Sequence, residues 1–159
     1  MGILAKDMSQ LVIQQRLSFV ATVKPDGSPN LCPIGSLTVW DADHLVFAEI
    51  HSPQTVTNLR ANPAIQVNVV DPIARKGFRF AGRARVLTEG SLFEYVVSQY
   101  KRRGVQSVIR SVVMIKVERT SLLRTPAYDV SPDEDQMKAK WKRYWKAIQK
   151  GEVPEVTGE

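Results

Sequence analysis

Apolar and polar positions alternate in short runs along most of the chain, with turn-forming residues between the runs. The start differs. From Asp7 to Gln15, Met8, Leu11 and Val12 recur at helical spacing and predict a short amphipathic helix. Leu17 to Val23 alternates apolar and small residues, as a strand does. Pro25-Asp26-Gly27-Ser28 then predicts a turn, because proline presets its φ and glycine accepts a positive one. A second strand is expected from Asn30 to Val39, a turn at Asp41-Ala42-Asp43, and a third strand from His44 to Ile50. Ser52 suits an N-cap and Pro53 the first helical position, and Asn62-Pro63 stops that helix.

Ala64 to Val70 reads as a fourth strand and Gly77 to Leu87 as a fifth. In the fifth, Arg79, Arg83 and Arg85 share one face, and Phe78, Phe80 and Val86 the other. Ser91 with Glu94 resembles a capping box opening a helix that Gly104 ends. Val112 to Val117 is a sixth strand, extended through Leu122 to Arg124. A terminal helix opens with Asp133, Glu134 and Asp135 and carries Met137, Trp141, Tyr144, Trp145 and Ile148 at helical spacing. Short strands that mostly follow one another directly predict a mainly β fold: a six-stranded antiparallel barrel with peripheral α-helices. The expected division is a barrel domain over 1–127 and a helical tail over 128–159.

Composition narrows the chemistry. The 159 residues suit one domain with a small appendage, and they can bury a core without a disulfide or metal staple. Cys32 is the single cysteine, so an intramolecular disulfide is excluded, and a structural zinc site finds only His44 and His51 beside it. No apolar run reaches membrane-spanning length and no secretory signal is visible, so the expected location is the cytoplasm. The net charge is +6, all of it in residues 1–132, because residues 133–159 hold six cations and six anions. Five of the basic residues lie between Arg75 and Arg85. They form either a solvated surface or a patch that attracts an anion.

Two segments are candidate sites. A helix starting at Ser52-Pro53 presents backbone N–H groups at its positive end, where Gln54 and Thr55 can hold a phosphate. A capped connector helix that binds nothing is the plainer reading. Cys32-Pro33-Ile34-Gly35-Ser36 places proline and glycine inside a strand, which marks either a ligand-facing segment or a bulge. No Gly-rich phosphate loop, H-E-x-x-H or G-x-S-x-G motif is present. His44 and Cys32 read as structural, and His51 sits just ahead of the phosphate helix. Trp141 and Trp145 read as a packing stripe or as a lid over a planar ligand.

The order of these pieces resembles the flavin-binding split-barrel family related to pyridoxamine 5′-phosphate oxidase, and within it the small bacterial FMN-binding proteins. The resemblance spans Leu17 to Val117. It rests on Phe19-Val20-Ala21-Thr22-Val23, Asp26-Gly27-Ser28-Pro29, Pro33-Ile34, the spacing of Thr55, Asn58, Leu59, Asn62 and Pro63, and Gly77-Phe78-Arg79-Phe80-Ala81-Gly82. It implies a homodimer of split barrels with FMN at the subunit interface. Carried over residue by residue, the flavin and ribityl chain lie along Cys32, Pro33, Ile34, Gly35 and Ser36, and along Glu49, Ile50 and His51. The phosphate sits at Gln54 and Thr55, and Lys76 and Gly77 reach the flavin from the second subunit. The chain departs from the family where a lysine often stands and Gln54 and Thr55 occur instead. Arg60, Lys76 or a partner-chain arginine would replace that cation, or the cofactor would be a deazaflavin. No residue reads pyridoxamine phosphate specifically.

The resemblance implies an FMN-dependent oxidoreductase acting on an unknown substrate, with no side chain singled out as catalytic. The alternatives are a non-catalytic flavin carrier or sensor and a related barrel binding a deazaflavin. A nucleic-acid surface on the Arg75–Arg85 strand is disfavoured, because its phenylalanines alternate away from its arginines.

Overall fold

The computed structural model describes residues 2–154, so Met1 and residues 155–159 of the expected tail lie outside the described residues. The chain runs α1 (Lys6–Gln15), β1 (Ser18–Val23), β2 (Pro29–Ile34), β3 (Thr38–Val39), β4 (His44–Glu49), α2 (Pro53–Ala61), β5 (Ala64–Asp71), β6 (Lys76–Leu87), α3 (Ser91–Arg102), β7 (Ser111–Arg124), α4 (Ala127–Val130) and α5 (Glu134–Gln149). The strands form one antiparallel sheet in the order β2-β1-β5-β6-β7-β4-β3. This is the expected split barrel with peripheral helices, built from seven strands instead of six.

The extra strand comes from the expected Asn30–Val39 run, which breaks in two. Pro29–Ile34 pairs with β1, whereas Thr38–Val39 pairs with β4. One stretch therefore serves both free edges of the sheet. At the break a side chain replaces the ladder: the Ser36 hydroxyl donates to the Ala48 carbonyl at 2.8 Å and accepts from the Ala48 N–H at 3.1 Å. The turn at Pro25-Asp26-Gly27-Ser28 forms as its chemistry predicts. Asp26 accepts from the Ser28 N–H at 2.9 Å, and Gly27 has a φ of 84°.

The barrel interior is apolar, with Phe47, Phe80, Leu45, Val67 and Ile115 among its fully buried side chains. Each such residue contributes roughly 1.5–3 kcal/mol of burial. A second cluster forms where Val96 and Tyr100 of α3 cover Val46, Ala48 and Val112 on the outer face of β4 and β7. On β6 the expected alternation holds: Arg79, Arg83 and Arg85 are exposed while Phe80 is buried. A bulge between Ala81 and Gly82 inserts Glu118 into β7.

Two helix starts differ from expectation. The capping box at Ser91 and Glu94 does not form, because the N-cap is Gly90, with a φ of 91°, and Ser91 is already helical. At α2, Ser52 occupies the N-cap position but its side chain caps nothing. In contrast, Asp133 caps α5, accepting from the N–H groups of Asp135 and Gln136 at 2.9 and 3.1 Å. The tail docks on the β5–β6 turn. The Tyr128 hydroxyl donates to the Ala74 carbonyl at 2.6 Å, Lys76 pairs with Glu134, and the Arg75 guanidinium lies 3.7 Å above the Trp141 ring. No helix among the described residues is long and apolar enough to cross a membrane.

Candidate functional site

The break between β2 and β3 opens a cleft of about 870 Å³. This is the size range of a cofactor site. Its wall contains Cys32, Pro33, Ile34, Gly35 and Ser36 from one side, and Ile50 and His51 from the end of β4. Seven of the expected site residues are thus brought together. They converge because the broken strand turns across the cleft mouth just where β4 hands over to α2.

Tyr100 holds that geometry. Its phenol donates to the Ser36 carbonyl at 2.8 Å and lies 3.2 Å from the Val46 carbonyl, so α3 pins the break to β4. Burial pushes the phenol well above its ordinary value, which keeps it a neutral donor. A Cβ on Gly35 would meet only the Arg16 carbonyl, at 3.6 Å, so the fold itself leaves room there for a side chain.

The remaining expected residues lie off the wall. Glu49 is buried behind it, where one carboxylate oxygen accepts from the Ser52 N–H at 2.8 Å and the other from the Ser111 hydroxyl at 3.5 Å. The N–H groups of Thr55 and Val56 turn back to the Ser52 carbonyl at 3.1 and 3.4 Å. Thr55 is buried, and its hydroxyl accepts from the Asn30 amide at 3.4 Å. Gln54 donates to the Asn58 side chain at 2.8 Å, and Asn58 donates to the Thr22 hydroxyl at 2.9 Å. These polar residues tie α2 to β1 and β2. Lys76 lies in the ion pair with Glu134, and Gly77 sits under β5, where a Cβ would come 2.0 Å from the Val69 carbonyl oxygen.

Among the wall residues missed in the sequence, three bring charge or an unpartnered hydroxyl. Arg16 ends α1 in the left-handed region, at a φ of 51°, and Arg103 follows α3. Both line the cleft, and neither has an ion-pair partner among the described residues. They bring positive charge to a cleft beside α2, whose start carries no lysine. The third is Ser52. It is only 7% exposed and lines the cleft, yet its hydroxyl has no hydrogen-bond partner. An unsatisfied buried hydroxyl costs about 1–3 kcal/mol, so such groups are rare unless a water, an ion or a ligand completes them. The charge of Arg16 and Arg103 and the orphaned Ser52 hydroxyl fit an anionic cofactor entering the cleft. Trp141 and Trp145 do not line it. Among the described residues no cluster of three or more His, Cys, Asp or Glu side chains could hold a metal.

Comparison with known proteins agrees with this architecture. The family model for pyridoxamine 5′-phosphate oxidase matches residues 4–128. None of the curated proteins matches the chain. Among solved structures, HupZ of Group A Streptococcus is 32% identical with a TM-score of 0.69, over 77% of this chain and 96% of that one. A candidate pyridoxamine 5′-phosphate oxidase from Lactobacillus delbrueckii is 23% identical with a TM-score of 0.66, over 74% and 93% of the two chains. An FMN-binding protein from Syntrophomonas wolfei is 17% identical with a TM-score of 0.60, over 75% and 90%. The last two are likenesses of fold. With the family match spanning most of the chain, the split barrel and its cleft place this protein in the pyridoxamine 5′-phosphate oxidase family.

Proposed function

We propose that the cleft binds FMN and that the protein is a pyridoxamine 5′-phosphate oxidase-like oxidoreductase acting on an unidentified substrate. The observation that carries this reading is the orphaned, buried Ser52 hydroxyl on a cleft wall that also holds Arg16 and Arg103. Bound flavin supplies hydride and single-electron chemistry, so the side chains need none of their own. Cys32 to Ser36 with Ile50 and His51 hold the ring and ribityl chain. The start of α2 marks the phosphate end, where Ser52 lines the cleft and offers a hydroxyl donor in place of Gln54 and Thr55, which are bonded within the protein. Arg16 and Arg103 favour negative charge in the cleft, on the phosphate or on a reduced, anionic flavin. Tyr100 keeps the wall in place without exchanging its proton.

The same reading assigns residues 1–127 to the flavin-binding barrel and residues 128–159 to a helical tail. It also makes the protein a homodimer in which Lys76 and Gly77 of a second copy approach the cofactor. The outer face of β1 and β2 supports this, because Phe19 is 45% and Leu31 66% exposed there.

The purified protein is expected to show visible flavin absorption, or to gain it when FMN is added, with the released cofactor identified by its mass. Failure of both overturns the reading. Oxidation of NAD(P)H by the loaded protein separates an oxidoreductase from a carrier, which binds FMN without turnover. One observation favours a second reading: no lysine stands at the start of α2, and a deazaflavin retained in preference to FMN would establish it.

A further inference from the structure

The arginine face of β6 serves neither the core nor the large cleft. Arg79 donates to the Asn68 side chain at 3.0 Å, but Arg83 and Arg85 have no acidic partner among the described residues. The register sets Arg83 directly opposite Lys116, and Lys116 directly opposite His44. Like charges facing each other across a ladder repel. One carboxylate, Asp41, lines a small cleft with them and is already engaged: it accepts from the Asp43 N–H at 2.8 Å and contacts His44 Nδ1 at 2.8 Å. That contact leaves the other imidazole nitrogen for a ligand.

These cations line a separate cleft of about 400 Å³ that shares no lining residue with the large one. The rest of its lining is Trp40, Ala84, Leu92 and Met114, with Asp41 beside His44, and Met114 stands directly across the ladder from Arg85. Trp40 is held edge-on against Tyr95, with ring centroids 5.9 Å apart. The volume lies within the range of small-molecule sites. Arg83 and Arg85 project from one face about 7 Å apart, close enough for two guanidinium forks to grip one phosphate group. Lys116 adds a point charge. Cations and an indole lining one cleft match a ligand with a phosphate at one end and a flat apolar body at the other.

We propose that this cleft is a second ligand site for a small phosphate ester with a planar organic body, a mononucleotide being the representative class. Arg83, Arg85 and Lys116 bind the phosphate, His44 adds a hydrogen bond, and Trp40 with Met114 packs on the ring. The ligand relieves the repulsion between Arg83 and Lys116.

Calorimetric titration with adenosine monophosphate, adenosine, inorganic phosphate and single-stranded DNA oligomers of rising length tests this. The monophosphate is expected to bind more tightly than either adenosine or phosphate alone. The R83Q/R85Q double variant is expected to lose about tenfold or more in that affinity, and K116Q a smaller factor. Both variants keep the flavin retention of the parent. These are exposed strand positions, and thermal melts verify folding; should the double variant unfold, R85Q and K116Q singly carry the test. The proposal is overturned if adenosine monophosphate does not bind, or if it binds the folded variants as tightly as the parent. Affinity that keeps rising with oligomer length also overturns it, because that marks an extended nucleic-acid surface.

Discussion

Ser52 has its main-chain N–H bonded to Glu49 and its carbonyl shared by two amides of α2, while its hydroxyl has no partner. Replacing it with alanine removes an unsatisfied buried group. Ser52→Ala is therefore expected to leave the melting temperature of the cofactor-free protein unchanged, or to stabilise it by about 1 kcal/mol, while lowering flavin retention. A variant that is clearly less stable without cofactor would mean the hydroxyl already has a structural partner. Ser52 was legible as an N-cap from its place before Pro53. Its lack of a capping bond was not, because it depends on how Glu49 and α2 meet. Gly77 makes the converse case. A Cβ there would come 2.0 Å from the Val69 carbonyl oxygen, a backbone atom that moves only with the strand. Gly77→Ala is expected to cost about 1–3 kcal/mol in urea denaturation, whether or not cofactor is bound. An unchanged midpoint would show that β5 and β6 separate easily.

At the scale of elements, β1 shows how far periodicity reaches. Its alternation of apolar and small residues fits two registers, one facing Phe19 and Ala21 inward and one facing Ser18, Val20 and Thr22 inward. The second is adopted: Ser18, Val20 and Thr22 are buried. Thr22 is tolerated inside because Asn58 and Asn30 donate to its hydroxyl at 2.9 and 3.2 Å, and no pattern within β1 carries that information. The terminal helix was visible from its acidic start and aromatic spacing, but its docking site was not. Glu134 anchors it through Lys76 of β6 and its own i+4 neighbour Lys138. The Lys138 hydrogen bond, then that of Lys76, holds the Glu134 carboxyl below its ordinary value. A depressed carboxyl pKa contributes stability above the ordinary glutamate range, and that stability is lost as pH falls through the depressed value. Glu134→Gln is expected to raise hydrogen exchange of the α5 amides modestly at neutral pH, with variant and parent converging in acid. An equal difference at both pH values would place the effect elsewhere than in this ion pair.

For the whole molecule, the register of β1 leaves an apolar outer face at Phe19 and Leu31 next to the β2 side of the large cleft. The proposed dimer covers that face. Leu31→Glu is expected to shift the protein to monomer in sedimentation velocity and to release flavin, since the second copy's Lys76 and Gly77 leave with it. A parent protein that is monomeric and holds its full complement of flavin would refute the arrangement.

Local chemistry determined much of this protein. Turn residues, apolar periodicity and helix-stop signals marked the antiparallel strands and most helices, because each acts over a few neighbouring positions. The same locality marked Cys32–Ser36 as either ligand-facing or bulged, since proline and glycine stand within a strand there, whereas Ile50 and His51 entered the expected wall only through the family resemblance. Only the tertiary structure decided where β2 ends and β3 begins, because the break exists to satisfy two different edges of one curled sheet. Only it brought Arg16 and Arg103 to the cleft. They end helices far apart in the chain, and their convergence depends on how α1 and α3 pack against the barrel. It also split one arginine stripe in two: Arg79 bonds to Asn68, while Arg83 and Arg85 meet Lys116 and Trp40 in a cleft that no periodicity along β6 could reveal.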